Sequence, residues 1–365
     1  MADQNRFGQL VELLKLKGLD AVFLAPSSDL KYITGLDMKP DSRLKGAVVT
    51  REGKSFFLCP SLYRDEMEGL NREMPIQEWK DGEGFKTAFQ SGLRRSGIDC
   101  SSPRIAFTRG IEAGDMLDAV DGLAATCVSG FELLSPLRSV KSTKEQDCMR
   151  YASLMNDKMM EAARSYIRPG VSETDIIAFV VNFHESHGGK PRVPGVSTGL
   201  NTAKPHYPRD NNRLVEANDI VRIDSGGWYE GYSHDMTRTF FVGTPTDEQR
   251  NVYEIVLEAQ LAAEERVRIG AIPRDLDRTA RDIIAKAGYA EAFNHRLGHG
   301  IGMDGHEAPY ISEANDLPLV EGNCFSIEPG IYIKGRFGIR IEDLVMLTSG
   351  GREILNHFTK ELITL

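Results

Sequence analysis

Cysteines are few in this 365-residue chain, and nothing in their spacing pairs them. The five cysteines are odd in number, are widely scattered and form no CxxC motif. Small secreted domains that rely on disulfides carry dense, regularly spaced cysteines instead. The pattern therefore disfavours a disulfide scaffold and favours a reducing compartment.

Long apolar runs and an excess of basic residues are also missing. No stretch approaches the ~18 consecutive apolar residues that a membrane-spanning helix needs. Residues 1–6 are polar, and no basic-then-apolar targeting pattern follows them. Acidic residues outnumber basic ones by 53 to 44, which leaves a formal net charge of −9. We therefore expect a cytoplasmic protein whose main partner is neither a membrane nor a nucleic acid.

The composition that remains is that of an ordinary globular protein, with 41% hydrophobic and 27% charged residues over a length that suggests two domains. Residues 1–135 alternate helical and strand patterns, which predicts a small α/β domain. Residues 136–365 form the second predicted domain. There, the capping-box pairs Ser142/Glu145 and Thr246/Gln249 begin long helices, and residues 324–347 alternate like antiparallel strands. This second domain is predicted to be α+β.

Two aspartates in this second domain stand in neighbouring predicted strands. Asp224 ends the apolar run 220–224, and Asp235 lies in the predicted strand 232–242. Glycines at 226, 227 and 231 separate them. A hairpin turning at these glycines would bring the two carboxylates face to face. Two unrelated aspartates at exposed strand ends would have the same spacing, so both interpretations stay open.

Further acidic residues occur near the C-terminus. Glu328 ends an apolar strand and is followed by Pro-Gly. In residues 338–343, period-two alternation puts Arg340 and Glu342 on one face and Ile339 and Ile341 on the other. That polar face lines either a charged pocket or the protein surface.

Four of the eight histidines are at 206, 295, 299 and 306. Glycines on both sides of His299 let the backbone approach a neighbouring group closely. A lone histidine is more often an ordinary core or surface residue, but clustering with glycine-rich turns favours a site.

If the four acidic residues and one of the histidines converge in the fold, they form a plausible metal-binding set. Four carboxylates and one imidazole would repel one another strongly in an empty interior. Two divalent cations would neutralise the four carboxylates. An oxygen-rich set with one nitrogen suits Mn²⁺, Co²⁺, Fe²⁺ or Zn²⁺. Two such ions can share a water and activate it near neutral pH.

At this point the sequence resembles a known family, the pita-bread metallopeptidases, and within it the Xaa-Pro dipeptidase (prolidase) and Xaa-Pro aminopeptidase branch. The resemblance covers residues from about 140 to 365 and keeps the family's order and spacing. Residues 1–135 fit more loosely the creatinase-like α/β domain that precedes prolidase catalytic domains. The matching blocks are GLNTAKPHY (199–207), IDSGG (223–227), SHDMTRT (233–239), FNHRLGHGIGMDGHE (293–307), IEPGIY (327–332) and IRIED (339–343).

The resemblance implies five metal ligands for two divalent ions, with Mn²⁺ favoured and Co²⁺, Zn²⁺ and Fe²⁺ as alternatives. Asp235 and Glu342 would bridge the ions. Asp224 would bind one ion, and His299 with Glu328 would bind the other.

The resemblance also implies the catalytic groups. A metal-bridging hydroxide would attack the scissile carbonyl, with Glu328 as general base and acid. His206 and His306 would contact that carbonyl and bind substrate. His295 would lie just outside the metal ligands, and Arg340 would orient ligands or substrate.

The implied substrates are Xaa-Pro dipeptides and short Xaa-Pro peptides, and relatives suggest a homodimer. One departure from the family concerns specificity. Tyr310 stands where several prolidases carry an arginine that holds the dipeptide's carboxylate. A tyrosine offers one neutral hydrogen bond or a flat wall for the proline ring. Discrimination in favour of a free dipeptide should therefore be weaker, unless another cation supplies the missing charge. The candidates are Arg340, Lys204 and Arg209, and Lys39 and Arg43 if the N-terminal domain of a partner subunit reaches the cleft.

Three alternatives to a dipeptidase remain. An Xaa-Pro aminopeptidase acting on longer peptides would use the same blocks. A creatinase-like C–N hydrolase or a non-catalytic pita-bread binding protein would be expected to lose metal ligands. Because all five ligand positions are kept, the sequence favours a peptidase. A methionine aminopeptidase usually lacks the large N-terminal domain.

Overall fold

The computed structural model describes residues 4–70, 74–206, 208 and 211–365. The chain divides into two compact units, Met1–Arg138 and Ser139–Leu365. The boundary expected after residue 135 falls inside the helix Phe131–Ser139, three residues before this division. Pro136 lies within that helix rather than in a linker.

The first unit is built on one mixed sheet with the strand order β4-β3-β2-β1-β5-β6. Strand β1 is antiparallel to β2 and parallel to β5. This is the predicted α/β arrangement, although the helices Ser28–Thr34, Arg64–Leu70 and Phe131–Ser139 and the strands Ile76–Trp79 and Thr126–Ser129 were not predicted. The helices are α1 (Gln4–Leu16), α2 (Ser28–Thr34), α3 (Arg64–Leu70), α4 (Lys86–Arg95), α5 (Ala113–Val120) and α6 (Phe131–Ser139). The strands are β1 (Ala21–Leu24), β2 (Gly46–Thr50), β3 (Ser55–Pro60), β4 (Ile76–Trp79), β5 (Arg104–Phe107) and β6 (Thr126–Ser129).

The second unit combines helices with largely antiparallel sheets, as predicted. One sheet has the order β18-β10-β9-β7, with β8 also paired to β9. A second has the order β12-β11-β13-β16-β17, and β14 and β15 form a separate hairpin. The helices are α7 (Thr143–Tyr166), α8 (Glu173–Ser186), α9 (Asp247–Glu265) and α10 (Pro273–Lys286). The strands are β7 (Lys190–Pro191), β8 (Gly195–Thr198), β9 (Ile220–Tyr229), β10 (Tyr232–Phe241), β11 (Gly298–Gly300), β12 (Glu307–Ile311), β13 (Cys324–Ile327), β14 (Gly330–Ile333), β15 (Phe337–Arg340), β16 (Asp343–Thr348), β17 (Gly351–Ile354) and β18 (Ile363–Thr364).

The long helices begin where the capping boxes predict. At α9, the Thr246 hydroxyl accepts a hydrogen bond from the backbone N–H of Gln249, and the Gln249 side chain accepts one from the backbone N–H of Thr246. The Ser142/Glu145 box at α7 differs in detail, since Oε2 of Glu145 accepts from both the backbone N–H and the hydroxyl of Ser142, at 2.8 and 2.7 Å. Each box satisfies donors that the first helical turn otherwise leaves free.

Among the described residues, no helix is long and apolar enough to cross a membrane.

The β9–β10 hairpin differs from the predicted one in its turn. The turn is the two-residue segment Glu230-Gly231, whose positive φ angles of 50° and 83° suit a tight hairpin. Gly226 and Gly227 lie inside β9 instead. A Cβ at Gly226 would lie 2.6 Å from Nη2 of Arg192, and one at Gly227 would lie 2.8 Å from the carbonyl oxygen of Lys190. These two glycines therefore make room for the neighbouring segment.

The two faces of this hairpin have different neighbours. One face sends Val221, Ile223 and Phe240 into a core that α7 and α8 cover. The opposite face carries Asp224 and Asp235, because side chains alternate along a strand. A separate core fills the space around α9, α10 and β13–β16. The site therefore lies on a strand face that is backed by a packed layer.

Candidate active site

Asp224 and Asp235 lie on the same face of the β9–β10 hairpin. Asp224 pairs with Thr237 across the strands, and Asp235 pairs with Gly226. The two carboxylates are therefore diagonal neighbours, so the prediction that they meet face to face was wrong in register. The hairpin nevertheless brings them together, because residues two positions apart share a face.

Glu342 reaches the same place from a different part of the chain. Its backbone N–H donates to the carbonyl oxygen of Thr237 at 3.1 Å, and its Oε2 accepts from the Thr237 hydroxyl at 2.6 Å. Ile339 and Ile341 are fully buried in the core, while the side chains of Arg340 and Glu342 face the site. Of the two interpretations of this alternating segment, the structure supports the charged pocket.

Glu328 and His299 are held together by Ser326. The Ser326 hydroxyl donates to Oε1 of Glu328 at 3.1 Å and accepts from the backbone N–H of His299 at 3.1 Å. His299 Nε2 lies 3.3 Å from Oε1 of Glu328. A Cβ at Gly298 would lie 1.8 Å from the Ser326 carbonyl oxygen, so the glycine permits this close strand pairing.

The five residues implied as metal ligands converge. Together with His306, they form three overlapping groups of three residues. Within each group, the possible ligand atoms lie within 4.8 Å of one another. Asp235, His299 and Glu342 each belong to two of these groups. The groups are Asp224/Asp235/Glu342, His299/Glu328/Glu342 and Asp235/His299/His306.

The electrostatics of this cluster strongly disfavour four ionised carboxylates in the absence of a cation. Burial, reinforced by the neighbouring carboxylates, raises the pKa of Asp235 to about 8 and that of Glu328 to about 7. The same causes hold the pKa of Glu342 well above its usual value. Burial also acts to raise the pKa of Asp224, but Arg340 and Arg192 outweigh it and lower that pKa. A cation between these groups would relieve the repulsion.

Three histidines of the site, His295, His299 and His306, are neutral. Burial lowers the pKa of His299 and of His295 to about 3, and that of His306 to about 4. Neutral imidazole is the form that binds a metal or donates one N–H to a carbonyl oxygen. The rings of His299 and His306 lie 3.8 Å apart between centroids.

Arg340 connects Asp224 to His295 through Tyr332, a residue with no predicted role. Its guanidinium donates to Oδ2 of Asp224 at 2.5 Å and to the Tyr332 hydroxyl at 3.0 Å. His295 Nε2 lies 3.1 Å from the same hydroxyl. Tyr332 was part of the quoted block 327–332, so its position was visible although its role was not.

His206 lies on an exposed loop that a buried arginine fixes. Arg222 of β9 donates to the carbonyl oxygens of Thr202 and Lys204, each at 2.7 Å, and to that of Pro205 at 3.2 Å. This places His206 on the wall of the cavity that contains the carboxylates. Arg222 has the period-two spacing from Asp224, which was the only sequence signal for it.

The cavity has a volume of about 720 Å³. Its lining brings together all four carboxylates, four histidines and four arginines. The histidines are His206, His295, His299 and His306, and the arginines are Arg192, Arg222, Arg296 and Arg340. Arg192 and Arg296 were not predicted as site residues, since no periodicity or glycine pattern marks them.

Tyr310 lies directly across from His299, its strand partner in the β11–β12 pair. The guanidinium of Arg296 lies over the Tyr310 ring, 4.6 Å from its centroid. Arg296 Nη2 is also 3.4 Å from Nδ1 of His306. A positive charge is thus present beside Tyr310. Of the candidates for the missing charge within the second unit, Arg340 lines the cavity, Lys204 is exposed, and Arg209 lies outside the described residues.

Comparison with known proteins agrees with this geometry. The model of metallopeptidase family M24 matches residues 147–349, and the creatinase/prolidase N-terminal domain matches residues 6–140. An Xaa-Pro dipeptidase of Pyrococcus horikoshii is 33% identical over 357 residues, which cover 97% of each chain. A probable dipeptidase PepE of Mycobacterium tuberculosis is 35% identical and covers 95% of this chain and 92% of its own.

Solved structures give the same result. A dipeptidase from Pyrococcus horikoshii has a TM-score of 0.92 at 34% identity and covers 99% of this chain and 100% of its own. A recombinant prolidase from Thermococcus sibiricus has a TM-score of 0.93 at 33% identity, with full coverage of both chains. The fold is therefore a pita-bread catalytic unit preceded by a creatinase-like α/β unit.

The chain belongs to metallopeptidase family M24 and is a metal-dependent peptidase. The family implies divalent metal ions, and the residues present fit them. Two buried and two half-buried carboxylates, three of them with a raised pKa, and one neutral imidazole form an oxygen-rich donor set for hard or borderline cations.

Proposed function

We propose that this protein hydrolyses the peptide bond that precedes proline in Xaa-Pro dipeptides, using two divalent metal ions. The observation that carries the proposal is the convergence of Asp224, Asp235, His299, Glu328 and Glu342 in one cavity that also contains His206 and His306. The Xaa-Pro dipeptidase of Pyrococcus horikoshii supports the choice of substrate.

The ligand roles combine the grouping of these side chains with the resemblance to prolidases. Asp235 and Glu342 would be shared by the two ions, as the resemblance implies, and both lie within ligand distance of Asp224. Asp224 would complete the ligands of one ion, and His299 with Glu328 would complete those of the other. Mn²⁺ is the ion we favour, with Co²⁺, Zn²⁺ and Fe²⁺ as alternatives. When bound, such ions lower the pKa of a water molecule and polarise the substrate carbonyl.

Glu328 is proposed to move the proton. Its carboxylate lies beside His299 at the proposed metal position, where it would accept a proton from the attacking water and return one to the leaving nitrogen. The leaving nitrogen of an Xaa-Pro bond carries no hydrogen in the substrate, so it must receive one. Glu328 is 14% exposed towards the cavity, which gives it access to both atoms.

His206 and His306 are proposed to donate N–H groups to the scissile carbonyl oxygen. Both line the cavity, and neutral imidazole is the form of His306. His306 also lies within ligand distance of Asp235 and His299. We assign it to substrate because the other two groups already supply ligands for two ions. Arg340 is proposed to hold Asp224 in place, and His295 to support Arg340 through Tyr332.

The preference for a dipeptide is proposed to come from Arg296 and Tyr310. Arg296 lies over the Tyr310 ring and beside His306, so its guanidinium can take the proline carboxylate that a family arginine at position 310 would otherwise hold. Tyr310 keeps Arg296 in place by a cation–π contact and offers its ring to proline. A cytoplasmic location and a homodimer are further proposals.

The test is hydrolysis by protein reconstituted with Mn²⁺. Ala-Pro, Ala-Pro-Ala and Ala-Ala are compared by kcat/KM, with a chelator-treated sample as control. Preferential cleavage of Ala-Pro supports a dipeptidase. Preference for Ala-Pro-Ala would favour an Xaa-Pro aminopeptidase, and no cleavage of either would overturn the proline-directed function. Full activity in chelator would instead favour metal-free C–N hydrolysis.

Arg296 is tested separately with Ala-Pro and Ala-Pro amide. If Arg296 binds the carboxylate, Arg296→Met lowers kcat/KM for Ala-Pro about tenfold or more and narrows its advantage over the amide. An unchanged ratio between the two substrates would remove Arg296 from this role.

A further inference from the structure

The arginines of the cavity exceed the charge that the carboxylates need once metals are present. Two divalent ions would formally neutralise the four carboxylates Asp224, Asp235, Glu328 and Glu342. Four guanidinium groups would then remain in the lining. Arg222 and Arg340 are buried, and their hydrogen bonds to backbone carbonyls and neighbouring side chains tie them to the protein. Arg192 and Arg296 are the two that are left for substrate.

Arg192 extends from the metal ligands to the loop that carries His306. Its Nη2 lies 3.1 Å from both carboxylate oxygens of Asp235 and 3.3 Å from Oδ1 of Asp224. The other terminal nitrogen of the guanidinium, Nη1, lies 3.6 Å from where a Cβ of Gly305 would be. Its side chain is 37% exposed, and it forms no ion pair with any other carboxylate of the described residues. When metal ions bind Asp224 and Asp235, these carboxylates neutralise the positive charge of Arg192 much less.

Arg192 and Arg296 approach His306 from different parts of the chain. Arg296 is 3.4 Å from Nδ1 of His306 and rests on Tyr310. Arg192 comes from the β7–β8 loop, beside Asp224 and Asp235. A substrate whose scissile carbonyl is at His306 has proline on one flank and the preceding residue on the other. With the proline carboxylate at Arg296, the preceding residue meets Arg192.

We propose that Arg192 selects substrates with an acidic side chain before proline, so that Glu-Pro and Asp-Pro are preferred over uncharged Xaa-Pro dipeptides. A guanidinium and a carboxylate form a charge-assisted, often bidentate pair. Gly226, which lacks a side chain, leaves the room that this guanidinium occupies. The inference rests on the proposed function, since it names the substrate class of the same site.

The experiment compares Glu-Pro with its uncharged isostere Gln-Pro, on metal-loaded protein, as a ratio of kcat/KM. The wild-type ratio is expected to be about tenfold or more in favour of Glu-Pro, as for a hydrogen bond to a charged group. Arg192→Met is expected to bring the ratio close to one, and Arg192→Lys to retain part of the preference. The ratio cancels any effect of these variants on overall turnover. Arg296→Met is the matched control, because it removes a pocket arginine and should leave the Glu-Pro to Gln-Pro ratio high.

A binding measurement gives a readout independent of turnover. Calorimetric titration of the metal-loaded protein with the products should show glutamate binding more tightly than glutamine in the wild type and equally in Arg192→Met. A wild-type protein that cleaves Ala-Pro but shows no preference for Glu-Pro over Gln-Pro would overturn this inference alone. A preference that survives in Arg192→Met would also overturn it. Failure to cleave any Xaa-Pro dipeptide would instead reject the proposed function.

Discussion

The hydroxyl of Thr237 donates a 2.6 Å hydrogen bond to Glu342, and the backbones of the same two residues form an isolated antiparallel bridge. The same hydroxyl accepts from Nε of Arg340 at 3.0 Å. Thr237 lies across from Asp224 in the hairpin. One threonine therefore joins two segments more than 100 residues apart in the chain and sets the distance between their carboxylates.

Loss of a shared ligand should empty both metal positions. We predict that Asp235→Ala or Glu342→Ala abolishes Ala-Pro hydrolysis and lowers the metal content by more than one ion per chain. The reason is that both carboxylates are proposed to bind both ions, and both lie within ligand distance of Asp224. Elemental analysis and kcat/KM check this. Glu248→Ala is the control, because Glu248 pairs with the exposed Arg336 away from the site. Two retained ions with near-normal turnover would contradict the dinuclear arrangement.

Loss of a histidine that contacts the substrate carbonyl should lower turnover without lowering the metal content. We predict that His206→Ala and His306→Ala keep both metal ions but lower kcat by about 10²–10³, the usual cost of one oxyanion donor. Metal analysis and kinetics under saturating metal measure the two quantities. His187→Ala, an exposed histidine on α8's C-terminal side, serves as control. Because His306 lies close to Asp235 and His299, reduced metal content in His306→Ala would make it a ligand instead.

Metal binding should release protons. Burial raises the pKa of Asp235 to about 8 and of Glu328 to about 7, so the metal-free protein holds protons there at pH 7. Ordinary unfolded carboxyl groups have a pKa of about 4, so these groups favour the metal-free fold at low pH and lose that effect as pH rises through 7 to 8. Ions displace the protons.

We therefore predict that calorimetric titration with Mn²⁺ at pH 6.5 and 9, in buffers of different ionisation enthalpy, shows proton release that decreases towards pH 9. The rise in melting temperature on adding Mn²⁺ should grow from pH 6 to 8. Proton-independent binding across this range would show that the carboxylates are already ionised.

A buried ion pair should stabilise the loop before His306. Lys141 Nζ lies 2.8 Å from Oε1 of Glu307, and the two side chains are 1% and 7% exposed. A Cβ at Gly302 would lie 2.4 Å from that same Oε1, so Gly302 packs directly against the pair. We predict that Lys141→Met costs about 3–5 kcal/mol of stability, because it removes the cation that pairs with a buried carboxylate. Chemical denaturation measures this loss.

The double variant Lys141→Met/Glu307→Met should recover much of the stability, since it removes both charges. Lys15→Met, which breaks the exposed pair with Glu12, should leave the denaturation curve unchanged. A Lys141→Met variant as stable as the wild type would mean that the pair contributes nothing to the fold.

Local patterns predicted much of the catalytic unit. The capping boxes at Ser142 and Thr246 located the starts of α7 and α9, because these side chains satisfy backbone donors within one turn. Period-two alternation assigned Ile339 and Ile341 to the core and Arg340 and Glu342 to the site. The hairpin turn was predicted wrongly, since glycines inside a strand and glycines in a turn look alike without their neighbours.

The order and spacing of the motif blocks by themselves determined the family and the set of metal-binding candidates, because identical residue types at family spacing do not need coordinates to be recognised. Only the tertiary structure decided which groups meet. The diagonal register of Asp224 and Asp235 depends on where the hairpin turns. The Tyr332 link between His295 and Arg340 depends on side chains placed by separate segments. Arg192 and Arg296 carry no periodic signal, and their charges gain meaning only from the carboxylates and the tyrosine that folding brings beside them.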